Sequence, residues 1–139
     1  MRVNHLIIGC RNARESVSFY QDLFGFEVIS EFVDSGTGAA GFALALTRED
    51  SELEFLLVPF GEARLPSPQH IALEVETTEK FEKLLSRANE LKLKTRAEPS
   101  LKSEKMGVGN LSINGFTYQI FYVLDPGGVN VEVMVRESK

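Results

Sequence analysis

Val3-Asn4-His5-Leu6-Ile7-Ile8 and Pro68-Gln69-His70-Ile71-Ala72-Leu73 are two versions of one statement. Each places a histidine at the head of an apolar, strand-like run. An amphipathic helical stretch and further strand-like runs follow each of them. Near the end of each half a lone carboxylate stands inside an apolar strand, Leu53-Glu54-Phe55 in the first and Val131-Glu132-Val133 in the second. His5 and His70 are the chain's only histidines. The order β-α-β-β-β is therefore written twice, and the halves meet at a pseudo-twofold axis.

Local signals fill in that order. Asn12, with Glu15 three residues on, reads as a helix N-cap, and Val17, Tyr20, Leu23 and Phe24 follow at helical spacing up to the stop at Gly25. Strands are expected over residues 2–10, Phe26–Val33, Gly41–Thr47 and Leu53–Pro59, with turns at Ser35–Gly38 and Arg48–Ser51. In the second half His70–Val75 reads as a strand. Thr77 or Thr78 caps a helix whose apolar face is Phe81, Leu84, Leu85, Ala88 and Leu91. A strand near Lys92–Ala97, a polar loop over Ser100–Gly109, and strands at Asn110–Ile113, Thr117–Leu124 and Val129–Val135 complete it. Asp125-Pro126-Gly127-Gly128 is a strong turn between the last pair.

One helix per half rules against an all-parallel sheet. The fold class is α+β: two tandem βαβββ modules whose curled sheets lie side by side, forming a curled mixed sheet around a central metal or ligand cleft with the helices outside. The whole of 1–139 reads as a single domain, with module 1 over 1–61, a Pro- and Gly-bearing linker over 61–68, and module 2 over 69–136.

Composition bounds the function. The chain has 139 residues, a net charge of −5, 43% hydrophobic residues and 25% charged residues. That length supports a real core. The acidic balance speaks against a nucleic-acid partner, which demands a basic face. No apolar run approaches the roughly 20 residues needed to span a bilayer. Residues 1–10 lack the zones of a signal peptide, so the cytoplasm is the expected compartment. The lone cysteine, Cys10, reads as a small buried hydrophobe.

Alternation along a strand places successive side chains on opposite faces. Leu53, Phe55 and Leu57 then share the packed face of their strand, as Val129, Val131, Val133 and Val135 do in theirs. Glu54 and Glu132 are left pointing into the cleft, where a carboxylate is costly without a partner. Two imidazoles and two carboxylates, His5, Glu54, His70 and Glu132, suit one divalent metal ion: Zn, Ni, Co, Mn or Fe.

These features resemble the vicinal oxygen chelate superfamily of glyoxalases, epimerases, fosfomycin-resistance enzymes, extradiol dioxygenases and bleomycin-resistance proteins. The resemblance is carried by Asn4-His5-Leu6, Ser18–Phe26, His70-Ile71-Ala72-Leu73 and Phe121–Gly128 leading to Glu132. It covers residues 1–136. It implies that His5, His70 and Glu132 are the shared metal ligands and Glu54 the fourth, with Phe55 the competing position. Its glyoxalase and epimerase branch implies a metal-dependent lyase or isomerase acting on a small carbonyl or conjugate substrate through metal-stabilised enediolate chemistry, with Glu132 or Glu54 as the base.

The same resemblance offers alternatives. One is an Fe(II)-dependent extradiol-type dioxygenase, disfavoured because Ile113–Phe116 holds no acid-base histidine. The other is a metal-free binding protein of the bleomycin-resistance type, with a cleft lined by Phe116, Tyr118 and Tyr122. Lys102 and Lys105 are candidates for an anion-binding lip. The expected partner is a small-molecule substrate, with no nucleic acid or membrane, and the resemblance implies a homodimer.

Overall fold

The computed structural model describes residues 7–33, 40–48, 51–57, 70–99 and 105–137, with backbone alone at Ile7, Phe32, Ala40 and Ala43 and over 45–48 and 51–57. Strand β1 (Ile7–Ile8), helix α1 (Ala13–Phe24), and strands β2 (Glu27–Val33), β3 (Ala40–Arg48) and β4 (Ser51–Leu57) form the first unit. Strand β5 (His70–Val75), helix α2 (Thr78–Glu90), and strands β6 (Gly109–Ile113), β7 (Phe116–Leu124) and β8 (Asn130–Arg136) form the second. Each unit carries a four-stranded mixed sheet, ordered β1-β4-β3-β2 and β5-β8-β7-β6. In each, the first and last strands run parallel while the rest pair antiparallel. The duplicated α+β architecture is thus present in both halves.

Cap chemistry sets the helix ends. The Asn12 side-chain oxygen accepts from the backbone N–H groups of Arg14 and Glu15 at 3.1 and 3.3 Å. At the other end Gly25 adopts φ 74°, a left-handed turn open to glycine at little cost. In α2 the cap is Thr77, whose hydroxyl accepts from Lys80 N–H at 3.2 Å.

In the first unit α1 packs on β3 and β4. Val17, Phe19, Tyr20 and Leu23 are buried with Ile8, Phe26, Phe42 and Leu44. Tyr20 meets Phe19 and Phe26 edge-on at centroid distances of 5.0 and 5.7 Å. Cys10 is buried, as its sequence position suggested.

In the second unit α2 packs on β8 and β5. Phe81 meets Phe121 edge-on at 5.2 Å, and Ala88 is fully buried. Val131, Val133 and Val135 are buried on that side of the sheet, together with Val123. The opposite side of the same strands is buried too, at Ile120, Tyr122, Glu132 and Met134. A strand closed in on both sides reads as a continuous apolar run, and Glu132 is the exception in it.

Two expectations need correction. Within residues 92–97 no strand forms: Lys92 takes φ 57°, and Arg96 makes isolated bridges to Tyr122 and Met106. The reason is occupancy. β6 already pairs with β7 from Phe116 to Ile120, which leaves only the end of that edge to Arg96. The first strand, expected over 2–10, is Ile7–Ile8 in the described residues, and residues 1–6 lie outside them. The linker 61–68, the turn at 35–38 and residues 100–104 of the loop also lie outside the described residues.

Among the described residues, no helix is long and apolar enough to cross a membrane. Phe81 carries much of the packing between α2 and its sheet. Phe81→Ala is expected to destabilise the protein by about 3–5 kcal/mol, read as a lower denaturant midpoint at unchanged slope.

Candidate functional site

The site grows from the ladder of the second sheet. Glu132 lies opposite Ala72 on β5 and Tyr122 on β7, while His70 lies opposite Asn130. Two-residue periodicity puts His70, Asn130, Glu132 and Tyr122 on one side of the sheet, away from α2. His70 reaches one step along to Glu132, with Nε2 and Oε2 2.7 Å apart. A carboxylate only accepts, so Nε2 carries the hydrogen and donates it.

The two partners are unequally exposed. The His70 side chain is 43% exposed and that of Glu132 4%. The second carboxylate oxygen of Glu132, Oε1, is buried without a hydrogen-bond partner. A buried carboxylate requires compensation at both oxygens, and here it is half supplied. An orphaned oxygen beside an accessible imidazole fits a divalent cation: one hard oxygen donor and one borderline nitrogen donor, ready once the imidazole hydrogen is lost.

Tyr122 borders the pair. Its ring meets the His70 imidazole edge-on, centroids 5.5 Å apart. Burial, and then the negative charge of Glu132 beside it, push the phenol from 10.0 up to about 12. Its hydroxyl therefore stays protonated throughout the physiological range. Tyr122 packs with Ile120 and Met134, and Tyr118 and Leu111 lean on that cluster. The Phe116 ring lies under the Arg136 guanidinium, 3.4 Å from its carbon.

The predicted residues divide into three groups. His70, Glu132 and Tyr122 come together, with Tyr118 on the adjoining apolar cluster; Phe116, against Arg136, is not part of that cluster. Lys105 does not join them: it pairs with Glu98 at 2.5 Å on the surface, which raises its pKa. His5, Lys102 and the Glu54 side chain lie outside the described residues. Among the described residues no three His, Cys, Asp or Glu side chains cluster for a metal.

The ladder does revise one equivalence. Ile7, two residues after His5, pairs with Leu56; Ala72, two residues after His70, pairs with Glu132. Leu56, not Glu54, thus occupies the register position of Glu132. Glu54 stands two residues earlier, where the second half has Asn130.

Sequence reasoning missed Arg96 and Asn130. Arg96 is 4% exposed, exchanges both backbone hydrogen bonds with Tyr122, and donates from Nη2 to Asn130 Oδ1 at 2.7 Å. Arg96 was hidden inside an expected strand. It ends the alternation Lys92, Lys94, Arg96, which reads as the solvent face of such a strand and conceals the burial of its last member.

The displaced tyrosine makes a measurable prediction. In protein stripped of divalent metal, phenolate absorbance should show one tyrosine titrating near 12, absent in Tyr122→Phe. Glu132→Gln should bring it down by removing the neighbouring charge. Because the folded-state value is raised, the associated stability is complete below about pH 10 and is lost as pH rises toward 12. A wild-type titration with all tyrosines near 10 would contradict this geometry.

Solved structures of known proteins share this fold. The oxidase ChaP-H2 aligns over 99% of this chain and 94% of its own, with a TM-score of 0.69 and 22% identity. A glyoxylase/bleomycin resistance protein/dioxygenase domain from Frankia sp. EAN1pec aligns over 99% and 98%, with a TM-score of 0.74 and 14% identity. The fosfomycin resistance protein FosX of Listeria monocytogenes, solved with Mn(II) and sulfate, aligns over 96% and 91%, with a TM-score of 0.65 and 14% identity. No curated protein matches by sequence. The family model matches residues 2–133, nearly the whole repeat. The chain belongs to the Glyoxalase/Bleomycin resistance protein/Dioxygenase superfamily.

Proposed function

We propose that this protein is a metal-dependent lyase or isomerase of the glyoxalase and epimerase type, acting on a small carbonyl or conjugate substrate. The observation that carries the reading is Glu132: buried, bonded to His70 through one oxygen and unpartnered at the other. In this reading His70 and Glu132 hold one divalent cation together with His5, and Glu54 is the fourth ligand candidate. Bound there, the cation would polarise the substrate's carbonyl oxygen and ease removal of a proton from the adjacent carbon.

The chain's own residues supply the rest. Glu132 is the base, with Glu54 the second candidate. Before a cation binds, the His70 Nε2–H holds the Glu132 carboxylate in place. Tyr122, kept protonated, is a neutral donor beside that carboxylate. Tyr118 and its apolar neighbours offer a dry wall for the non-reacting part of the substrate.

A second reading, an Fe(II) oxygenase using His5, His70 and Glu132, draws support from the ladder. Leu56 in the register position of Glu132 removes the symmetry argument for a fourth carboxylate. The likeness to ChaP-H2, an oxidase, is of fold.

Elemental analysis after dialysis against Zn, Ni, Co, Mn and Fe(II) tests both. About one ion per chain is expected, lost in His70→Ala and Glu132→Ala. Loss also in Glu54→Ala supports the four-ligand lyase or isomerase. Bound iron indifferent to Glu54→Ala, with oxygen uptake on a catechol, moves the assignment to the oxygenase. Wild-type protein that takes up no metal under any condition overturns both and leaves a binding protein.

A further inference from the structure

Arg96 is the least expected charge in the second unit. A buried guanidinium is costly unless its hydrogens are used. Two sets of contacts help fix it: its backbone is tied to Tyr122 by hydrogen bonds of 3.0 and 2.8 Å, and its Nη2 meets Asn130 Oδ1 at 2.7 Å. The second contact has a chemical consequence for Asn130. Arginine carries donors and no acceptor, so the atom it meets must be the amide oxygen. That settles which way the amide faces.

With its oxygen committed to Arg96, Asn130 has only its Nδ2 hydrogens left to offer. Among the described residues they meet no acceptor. Asn130 is half-buried and is the direct ladder neighbour of His70, on strands that run about 4.8 Å apart. A donor of fixed orientation therefore stands beside the accessible imidazole, and Glu132 is two residues along on the same side. The arrangement has a buried positive group bonded to the amide oxygen, a half-buried amide, and an accessible His70.

We propose that Asn130, oriented by Arg96, is a substrate-binding donor that receives a carbonyl or carboxylate oxygen of the substrate next to His70. Arg96 is the positioning residue: it does not reach the substrate but prevents the Asn130 amide from flipping and polarises its N–H bonds. The assignment rests on the metal-dependent reading only for the reaction that follows; the donor itself is a property of Arg96, Asn130 and the ladder. Pyruvate, which carries a carbonyl and a carboxylate oxygen on adjoining carbons, is a simple probe of such a donor.

The test uses pyruvate as the probe and the full chain, with and without Mn(II). The Asn130 side-chain amide resonance, assigned by its loss in Asn130→Ala, should shift on pyruvate titration of the wild type. Pyruvate affinity should fall about tenfold or more in Asn130→Ala, as expected for a donor to a charged or strongly polarised oxygen. Mn(II) affinity should stay within about twofold, since no metal ligand is touched. Arg96→Met should weaken pyruvate likewise, and Arg96→Lys, which keeps a donor, should recover most of it.

A wild-type amide resonance that stays still while pyruvate binds overturns the proposal, as does pyruvate failing to bind the wild type at all. Failure of Mn(II) to bind is a separate result: it removes the metal-dependent reading, and the resonance in metal-free protein still decides the role of Asn130.

Discussion

A carboxylate sits inside a strand that is otherwise as apolar as strands become. From Val131 to Val135 every residue of β8 is buried, and Glu132 alone among them carries charge. Transfer of an unpaired carboxylate to such a place costs several kcal/mol even after relaxation. The rest of the second sheet can be understood as the response to that one constraint. His70 answers one oxygen, burial and then the nearby charge keep the phenol of Tyr122 protonated, and the other oxygen is buried without a hydrogen-bond partner. Folding alone gains nothing from such a residue. A valine there would complete the apolar run, so the site has been placed at the expense of stability.

Much of this was readable in the chain, and the reasons differ by element. Asn12, Gly25 and Thr77 declare helix ends through chemistry confined to four or five residues, and the helices begin and end where those residues stand. His70–Val75 is delimited by the same local logic. His70 and Glu132 could be paired because each is the odd residue in a periodic run and because the pattern occurs twice. Nothing in their local patterns links Arg96 to Asn130, and their contact spans 34 residues, so only the three-dimensional arrangement joins them.

Register was the quantity least accessible to sequence. Alternation tells which face a residue takes but is blind to a slip of two, which leaves every side chain on the same face. That slip separates Glu54 from the position of Glu132 and makes it the counterpart of Asn130 instead. The two halves of the repeat are therefore alike in their strands and helices without being alike in what they present. Duplication supplied a frame with two equivalent places, and the residues at those places have gone separate ways.

Gly109 shows how far the frame's tolerances reach. It opens β6 with its Cα so near Ala97 that a Cβ would stand 2.7 Å from the Ala97 carbonyl oxygen. No side chain fits there unless the backbone at 97 retreats, and the residue before it is Arg96. A methyl group added at the start of an edge strand would thus act as a wedge, prising the arginine from the end of β7 and freeing the amide it holds. Position 109 touches neither His70 nor Glu132, yet it works as a spacer whose thickness sets the alignment of groups on the far side of the sheet. Variation at a glycine remote from the chemistry is one way this scaffold could be retuned for another ligand without altering a single residue that meets it.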